Sequence, residues 1–318
     1  MSMGRTPRKS TVHAPVSTQI MLVLGIILVL SLVLWSVLGQ RSVDAVDETV
    51  AEQPGPITDP ESNSEYRPTI ETAQQLQEKD PKDKKDPTDK KKIPVVIVLD
   101  DVGYDMKLLE TFLRIPIPLT YAILPGLRDT KDSARILNAR GVETILHLPM
   151  ENVAGTYPGP GTLFDTMADE ELLAVLQEDI EQVPGISGMN NHMGSKGTQD
   201  ERIVQIVLDY GRSRGLFFLD SRTTSDTLVP FVAEKLQVPI LERHVFLDNE
   251  RETEAIRLAL EEGLKSAEAR GYAVMIGHVW SQELADIIFD LYPEILERGY
   301  EFTTLAQLLG VKFPDPYR

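Results

Sequence analysis

The stretch that decides the fold class is Pro94-Val95-Val96-Ile97-Val98-Leu99-Asp100-Asp101. Its five consecutive apolar residues, mostly β-branched, predict a strand that is buried on both faces, as strands of parallel sheets are. Two adjacent carboxylates follow at once. Their repulsion and lost hydration push one of them towards the neutral form unless a cation holds both. This arrangement costs stability, and it predicts chemistry at the end of the strand.

Apolar strands alternate with amphipathic helices throughout residues 93–311. The predicted strands are 95–99, 119–124, 142–146, 186–190, 216–219, a weak one at 239–241, 272–276 and 300–303. Glycines stand between a helix and the next strand, where a left-handed cap is needed, at Gly141, Gly215, Gly271 and Gly299. The pattern predicts an α/β fold: a distorted β/α barrel, complete or incomplete, of about seven βα units. A doubly wound open sheet is the structural alternative.

Helix starts are predicted near Asp169, Asp200 and Glu252, and Ser225 is predicted to cap a helix that reaches Leu236.

The N-terminal part of the chain predicts a membrane anchor. Residues 20–38 form an almost unbroken aliphatic run, long enough to cross a bilayer as a helix, and positive residues precede it. The run is longer than a signal-peptide core and lacks a clean small-x-small cleavage site, which favours an uncleaved anchor. We therefore expect a cytoplasmic tail at 1–19 and a single-pass inner-membrane protein with its folded domain on the periplasmic side. Residues 39–92 predict a disordered charged linker, and 312–318 a tail.

Composition excludes several classes of function. The chain has no cysteine, so disulfides and thiol chemistry are absent. Its net charge of −17 argues against nucleic acid as a partner, and against anionic lipid beyond the anchor. The oligomeric state stays open.

Titratable side chains recur where predicted strands end. They are Asp100, Asp101, His147, His192, Asp220 and His278. Because the carboxyl ends of parallel strands meet at one end of a barrel, these side chains predict an active site there. His244 lies in a charged stretch and is predicted to be a surface residue.

This set of residue types predicts metal-assisted hydrolysis. Two histidines and one carboxylate with open positions bind Zn²⁺ or another first-row divalent ion. A second carboxylate beside the ion can take a proton from water, and a histidine can protonate the leaving group. No Gly-x-Ser-x-Gly motif stands at a strand-to-helix turn, where a nucleophile elbow would need it, and cysteine is absent. The residues therefore favour metal-assisted hydrolysis of an amide or ester.

Five motifs together resemble those of the divergent polysaccharide deacetylases, relatives of carbohydrate esterases that remove N-acetyl groups from chitin oligomers and peptidoglycan on a distorted β/α barrel. They are Leu-Asp-Asp-Val-Gly (99–103), His-Leu-Pro-Met-Glu (147–151), Gly-Met-Asn-Asn-His-Met-Gly-Ser (188–195), Phe-Leu-Asp-Ser-Arg-Thr (218–223) and Ile-Gly-His (276–278). The resemblance covers residues 93–309 and implies an acetylated envelope polysaccharide, such as peptidoglycan, as substrate.

The resemblance also implies a role for each matching residue. Asp100 would be the general base, and Asp101 and His147 would be metal ligands. His278 would be the general acid. Asp220 would orient a catalytic group, with Arg222 close by. Zinc is the expected metal.

The chain departs from ordinary deacetylases in two places. Their metal histidines come as a pair four residues apart, but Glu151 stands four residues after His147. The third ligand is therefore Glu151 or His192, and we favour His192 because it keeps two imidazoles and one carboxylate. The Arg-x-Pro-x-Gly segment that helps to hold acetate has no counterpart. Two hypotheses follow: a membrane-anchored, metal-dependent hydrolase of N- or O-acetyl groups, or a glycan-binding or scaffolding protein on the same fold.

Overall fold

The computed structural model describes residues 92–312. The predicted cytoplasmic tail, membrane anchor and charged linker lie outside this range, apart from Lys92. Within the described residues, no helix combines the length and the apolar character needed to span a bilayer.

The described residues alternate strands with helices, as the sequence predicts. The strands are β1 (Ile93–Val102), β2 (Thr120–Ile123), β3 (Glu143–Met150), β4 (Gly188–Met193), β5 (Phe217–Asp220), β6 (Ile240–Glu242), β7 (Val245–Phe246), β8 (Ala273–His278) and β9 (Tyr300–Thr303). The helices are α1 (Met106–Phe112), α2 (Thr130–Ala139), α3 (Asp169–Gln182), α4 (Glu201–Ser213), α5 (Val229–Leu236), α6 (Thr253–Arg270), α7 (Gln282–Glu297) and α8 (Leu305–Lys312). All the predicted strands are confirmed. Gly141, Gly215, Gly271 and Gly299 adopt positive φ angles, as predicted.

The strands form one parallel sheet that curls back on itself. Its order is β6-β5-β4-β3-β2-β1-β8-β7, and β9 pairs separately with β1. The two end strands are consecutive pieces of one segment, separated only by Arg243 and His244. The amide of Arg243 bonds to the Asp220 carbonyl of β5, and the amide of His244 bonds to the Val274 carbonyl of β8. This curled sheet fits the predicted distorted barrel.

Alternating side chains along each strand divide the core into two parts. One cluster of buried residues joins strand positions to the last helix: Val96, Val98, Ala122, Ile145, Phe217, Leu219, Leu241, Val274, Ile276, Leu305, Leu308 and Leu309. These side chains fill the inside of the sheet. The intervening residues, such as Val95 and Ile97, pack against the surrounding helices. The Glu143 carboxylate, at the start of β3, accepts the first amides of α8. The last helix therefore covers the amino ends of the strands.

Two local predictions were wrong. α5 begins at Val229 rather than after Ser225, because Pro230 fits the first helical turn and the Thr227 hydroxyl accepts the Val229 amide. His244 is half-buried rather than a free surface residue, because its Nδ1 accepts the Val274 amide.

Candidate active site

The two-residue period of the strands places polar side chains at one end of the inner core. Asp100 lies on the same face of β1 as Val96 and Val98, and His147 lies on the same face of β3 as Ile145. His278 likewise continues the inner face of β8, and it is the direct partner of Asp100 in the ladder between β1 and β8. The carboxyl end of the curled sheet therefore collects an acid and two imidazoles.

Asp101 reaches the same place through a backbone irregularity. The register between β1 and β2 shifts after Leu99, and Asp101 has a left-handed φ of 65°. Aspartate tolerates this conformation better than most residues. The Trp280 indole N–H donates to Asp101 Oδ2 at 2.9 Å. Asp101 Oδ1 is buried and has no hydrogen-bond partner. One carboxylate oxygen is thus held in place and the other is left for a ligand.

Asp101, His147 and His192 form a cluster that fits a metal ion. His147 Nε2 lies 3.0 Å from His192 Nδ1 and 3.5 Å from Asp101 Oδ1, and His192 Nδ1 lies 3.3 Å from the same oxygen. A tetrahedral zinc ion with bonds of about 2.0–2.2 Å needs ligand atoms roughly 3.4 Å apart. The unpartnered oxygen and the two facing ring nitrogens match that requirement. Among the described residues, this is the group of three or more potential ligands whose atoms lie close enough for one ion.

The electrostatics of the cluster favour a carboxylate facing imidazoles. Burial acts to raise the pKa of Asp101, but the facing imidazoles of His147 and His192 outweigh burial and hold the pKa well below its usual range. Burial lowers the pKa of His192. For His147, the charges of Asp100 and Asp101 outweigh burial and raise the pKa.

Asp100 has a different environment from its neighbour. It is 2% exposed, and burial raises its pKa although His147, His278 and an Asn190 hydrogen bond oppose the rise. Asn190 Nδ2 donates to Asp100 Oδ1 at 2.9 Å, and Asp100 Oδ2 lies 3.6 Å from His147 Nε2. Two adjacent carboxylates thus have pKa values shifted in opposite directions, which is typical of a pair with separate chemical roles.

His278 is oriented by an acid that the sequence reasoning missed. Asp248 is buried, and its Oδ1 lies 2.8 Å from His278 Nδ1 while its Oδ2 accepts the His278 amide at 2.8 Å. The imidazole stacks on Trp280 with a centroid distance of 4.8 Å, and on Phe246 at 6.1 Å. Burial lowers the pKa of His278, but the hydrogen bond and charge of Asp248 outweigh it and raise the pKa to about 9. A protonated imidazole is therefore held beside Asp100.

Three further candidate site residues make their contacts outside the metal-ligand cluster: Glu151, Asp220 and Arg222. The Glu151 carboxylate accepts from Lys196 at 2.8 Å and from the Asp165 amide. Asp220 accepts from the Arg222 amide and the Thr227 hydroxyl, and the Arg222 guanidinium pairs with Glu242. Among the contacts of residues 92–312, the carboxylate that touches the His278 ring is Asp248. Asp220 instead stabilises the loop that follows β5.

The fold and the site together define an α/β barrel with a carboxylate–histidine cluster at the carboxyl ends of its strands. Residues 97–309 match the family model described as divergent polysaccharide deacetylase, and the chain belongs to that family. The resemblance stated from the motifs is confirmed.

Curated relatives and a solved structure are similar to this chain over its folded part. The uncharacterized protein YibQ of Escherichia coli (strain K12) is 29% identical over 204 residues, which are 63% of this chain and 64% of the relative. An uncharacterized protein of Haemophilus influenzae is 29% identical over 184 residues, 58% of this chain and 66% of the relative. The matches thus span slightly less than two thirds of these relatives. A crystal structure of an uncharacterized Agrobacterium tumefaciens C58 protein has a TM-score of 0.64 at 22% identity, and covers 70% of this chain and 91% of that one. This last likeness supports the fold.

Proposed function

We propose that this protein is a metal-dependent hydrolase that removes N- or O-acetyl groups from a cell-envelope polysaccharide. The observation that carries the proposal is the convergence of Asp101, His147 and His192 on one ion-sized gap, with Asp100 and His278 beside it. Family membership supports the substrate class.

Asp101, His147 and His192 would hold the ion, and their nitrogen and oxygen donors favour zinc. When bound, such an ion supplies Lewis-acid polarisation of the acetyl carbonyl and of the attacking water. Trp280 keeps the Asp101 carboxylate turned towards the two imidazoles.

Asp100 would take the proton from the attacking water. Its carboxylate is fixed by Asn190, and the raised pKa makes it a stronger base than an ordinary aspartate. The oxygen of the water then forms a bond to the acetyl carbon while its proton moves to Asp100.

His278 would give a proton to the leaving group. Asp248 holds the proton on Nδ1, so the Nε2–H of the imidazolium is the one that can be donated. As the bond from the acetyl carbon to the sugar nitrogen or oxygen breaks, that proton passes to the sugar. Acetate and a free amine or hydroxyl are the products.

Acetate release from peptidoglycan or chitin oligomers, measured on the full-length protein, tests this function. We expect Asp100→Asn and His278→Gln each to lower the rate at least about 100-fold. Asp209→Asn, a change of an exposed acid on α4, is the matched control and retains the rate. Equal rates in wild type and both site variants contradict the assigned roles. A metal-free protein that binds glycan without releasing acetate supports the glycan-binding alternative instead.

We also propose that residues 20–38 anchor the chain in the inner membrane and place the folded domain among extracytoplasmic substrates. A phosphatase that is active only outside the cytoplasm, fused after residue 92, tests this topology. Activity of the fusion supports the proposal, and its absence from a stable fusion contradicts it.

A further inference from the structure

The side-chain amide of Asn190 links the proposed base to a proposed metal ligand. Asn190 is fully buried and lies opposite His147 in the ladder between β3 and β4. Its Oδ1 lies 2.8 Å from His147 Nδ1. Its Nδ2 donates to Asp100 Oδ1 at 2.9 Å and to the Ser221 hydroxyl at 3.2 Å. One amide therefore serves three partners, each from a different strand or loop.

The chemistry of these groups fixes the direction of each hydrogen bond. An amide oxygen can only accept, so the ring nitrogen that faces it must carry a proton. His147 is therefore protonated at Nδ1 in both its neutral and its charged form, and the neutral ring directs the Nε2 lone pair at Asp101 and His192. An ionised carboxylate can only accept, which matches the amide NH₂ facing Asp100.

The opposite orientation of the amide is unfavourable on both sides. It would set the amide oxygen against the Asp100 carboxylate, an acceptor against an acceptor. It would also face the NH₂ group towards His147 Nδ1 and move the ring proton to Nε2, where it would block the lone pair. Asp100 and His147 therefore select the same orientation of Asn190.

We propose that Asn190 is a positioning residue that keeps the His147 proton on Nδ1 and the Asp100 carboxylate in place. The benefit for metal binding rests on the proposed function. The tautomer of His147 is a property of the metal-free protein and can be measured separately. Partners that fix the tautomer of a ligating histidine typically change metal affinity by about 10- to 100-fold.

Two variants separate the two halves of this role. Asn190→Ala removes both the acceptor for His147 and the donor to Asp100. Asn190→Asp keeps the shape and the acceptor but loses the amide donor. Asn138→Ala, which removes an exposed side-chain amide on α2 that donates to the Pro184 carbonyl, is the matched control.

The test is ¹⁵N–¹H NMR of histidine-labelled, metal-free full-length protein at a pH where His147 is neutral, together with zinc affinity by chelator competition. We expect Asn190→Ala to mix the two tautomers of His147 and to weaken zinc binding about 10- to 100-fold. Asn190→Asp should keep the Nδ1–H tautomer, and Asn138→Ala should change neither quantity.

An unchanged Nδ1–H population in Asn190→Ala overturns the proposal, and so does a mixed population in Asn190→Asp. If wild-type protein binds no zinc but the tautomer shifts in Asn190→Ala, the role of Asn190 in holding His147 stands and the proposed function fails. If zinc binds and acetate is not released, the proposed hydrolysis is contradicted. The tautomer of His147 and the zinc affinity then still test the role of Asn190.

Discussion

The pair of Asp248 and His278 gives a quantitative test of the site's electrostatics. Asp248 is buried and contacts both Nδ1 and the backbone amide of His278. Asp248→Asn removes the charge and one of the two acceptors with almost no change in volume. Burial then acts on the imidazole against only the smaller effects of the Asp100 and Asp101 charges, so the pKa of His278 should fall from about 9 towards its ordinary value of 6.5.

The size of the effect follows from that shift. A rise from 6.5 to about 9 is worth about 3 kcal/mol at 1.36 kcal/mol per pH unit. The ring is 22% exposed, so solvent screening reduces the expected loss to about 2 kcal/mol. Because the folded pKa lies above the unfolded one, the pair stabilises the fold fully below pH 6.5, and this stabilisation is lost as the pH rises through 9.

Histidine NMR titration and urea unfolding at about pH 6 and about pH 9.5 measure both quantities. Asp209→Asn serves as control for the change of acid to amide at an exposed site. We expect Asp248→Asn to be less stable than wild type at the lower pH. This loss of unfolding free energy should be about 2 kcal/mol larger at the lower pH than at the higher pH. An unshifted His278 titration, or a stability difference that is independent of pH, would mean that Asp248 does not set the pKa of His278.

Four other variants test separate parts of the structure. Burial and neighbouring Glu178 raise the pKa of Asp179 to about 8, so the fold keeps a proton that the unfolded chain releases. Stability should fall between about pH 4 and pH 8, by up to about 5 kcal/mol, and Asp179→Asn should abolish this fall in urea unfolding. Trp280→Phe removes the donor to Asp101 and should weaken zinc binding about tenfold by chelator competition. His192→Ala should lose bound zinc in elemental analysis, whereas Glu151→Gln should retain it.

Each of these variants has an outcome that contradicts its premise. A pH-independent gain in stability for Asp179→Asn would mean that the carboxyl is not kept neutral in the fold. Full zinc affinity in Trp280→Phe would mean that the indole does not orient Asp101. Loss of zinc in Glu151→Gln with retention in His192→Ala would reverse the choice of third ligand.

The fold was predictable because its strands are strongly marked in the sequence. The runs that form β1, β3 and β8 are apolar on both faces, and glycines mark the helix ends between strands. β7 was missed because it has two residues and pairs with β8 alone. Without β7, Asp248 had no strand to follow and was not recognised as a polar residue at a strand end.

Side chains alternate between the two faces of a strand, and this alternation explains which candidate acids point into the site. Asp220 follows Leu219, which faces the inside of the sheet, so Asp220 points towards the other side and its carboxylate binds the loop. Asp248 lies two residues after Phe246, which packs against the inner core, so Asp248 points inward. Counting positions from these inner core residues separates the two acids once β7 is known. The left-handed backbone at Asp101 carries no comparable sequence signal, because Asp100 should by alternation be the inward acid of the pair.

We propose that Asp101, His147 and His192 share one metal ion. Elemental analysis of full-length protein, purified after growth with zinc, manganese, cobalt and iron, measures this directly. We expect about one equivalent of a divalent metal, zinc first, in wild-type protein and none in Asp101→Ala that remains folded. Wild-type protein that contains no stoichiometric metal after any of these preparations would contradict it.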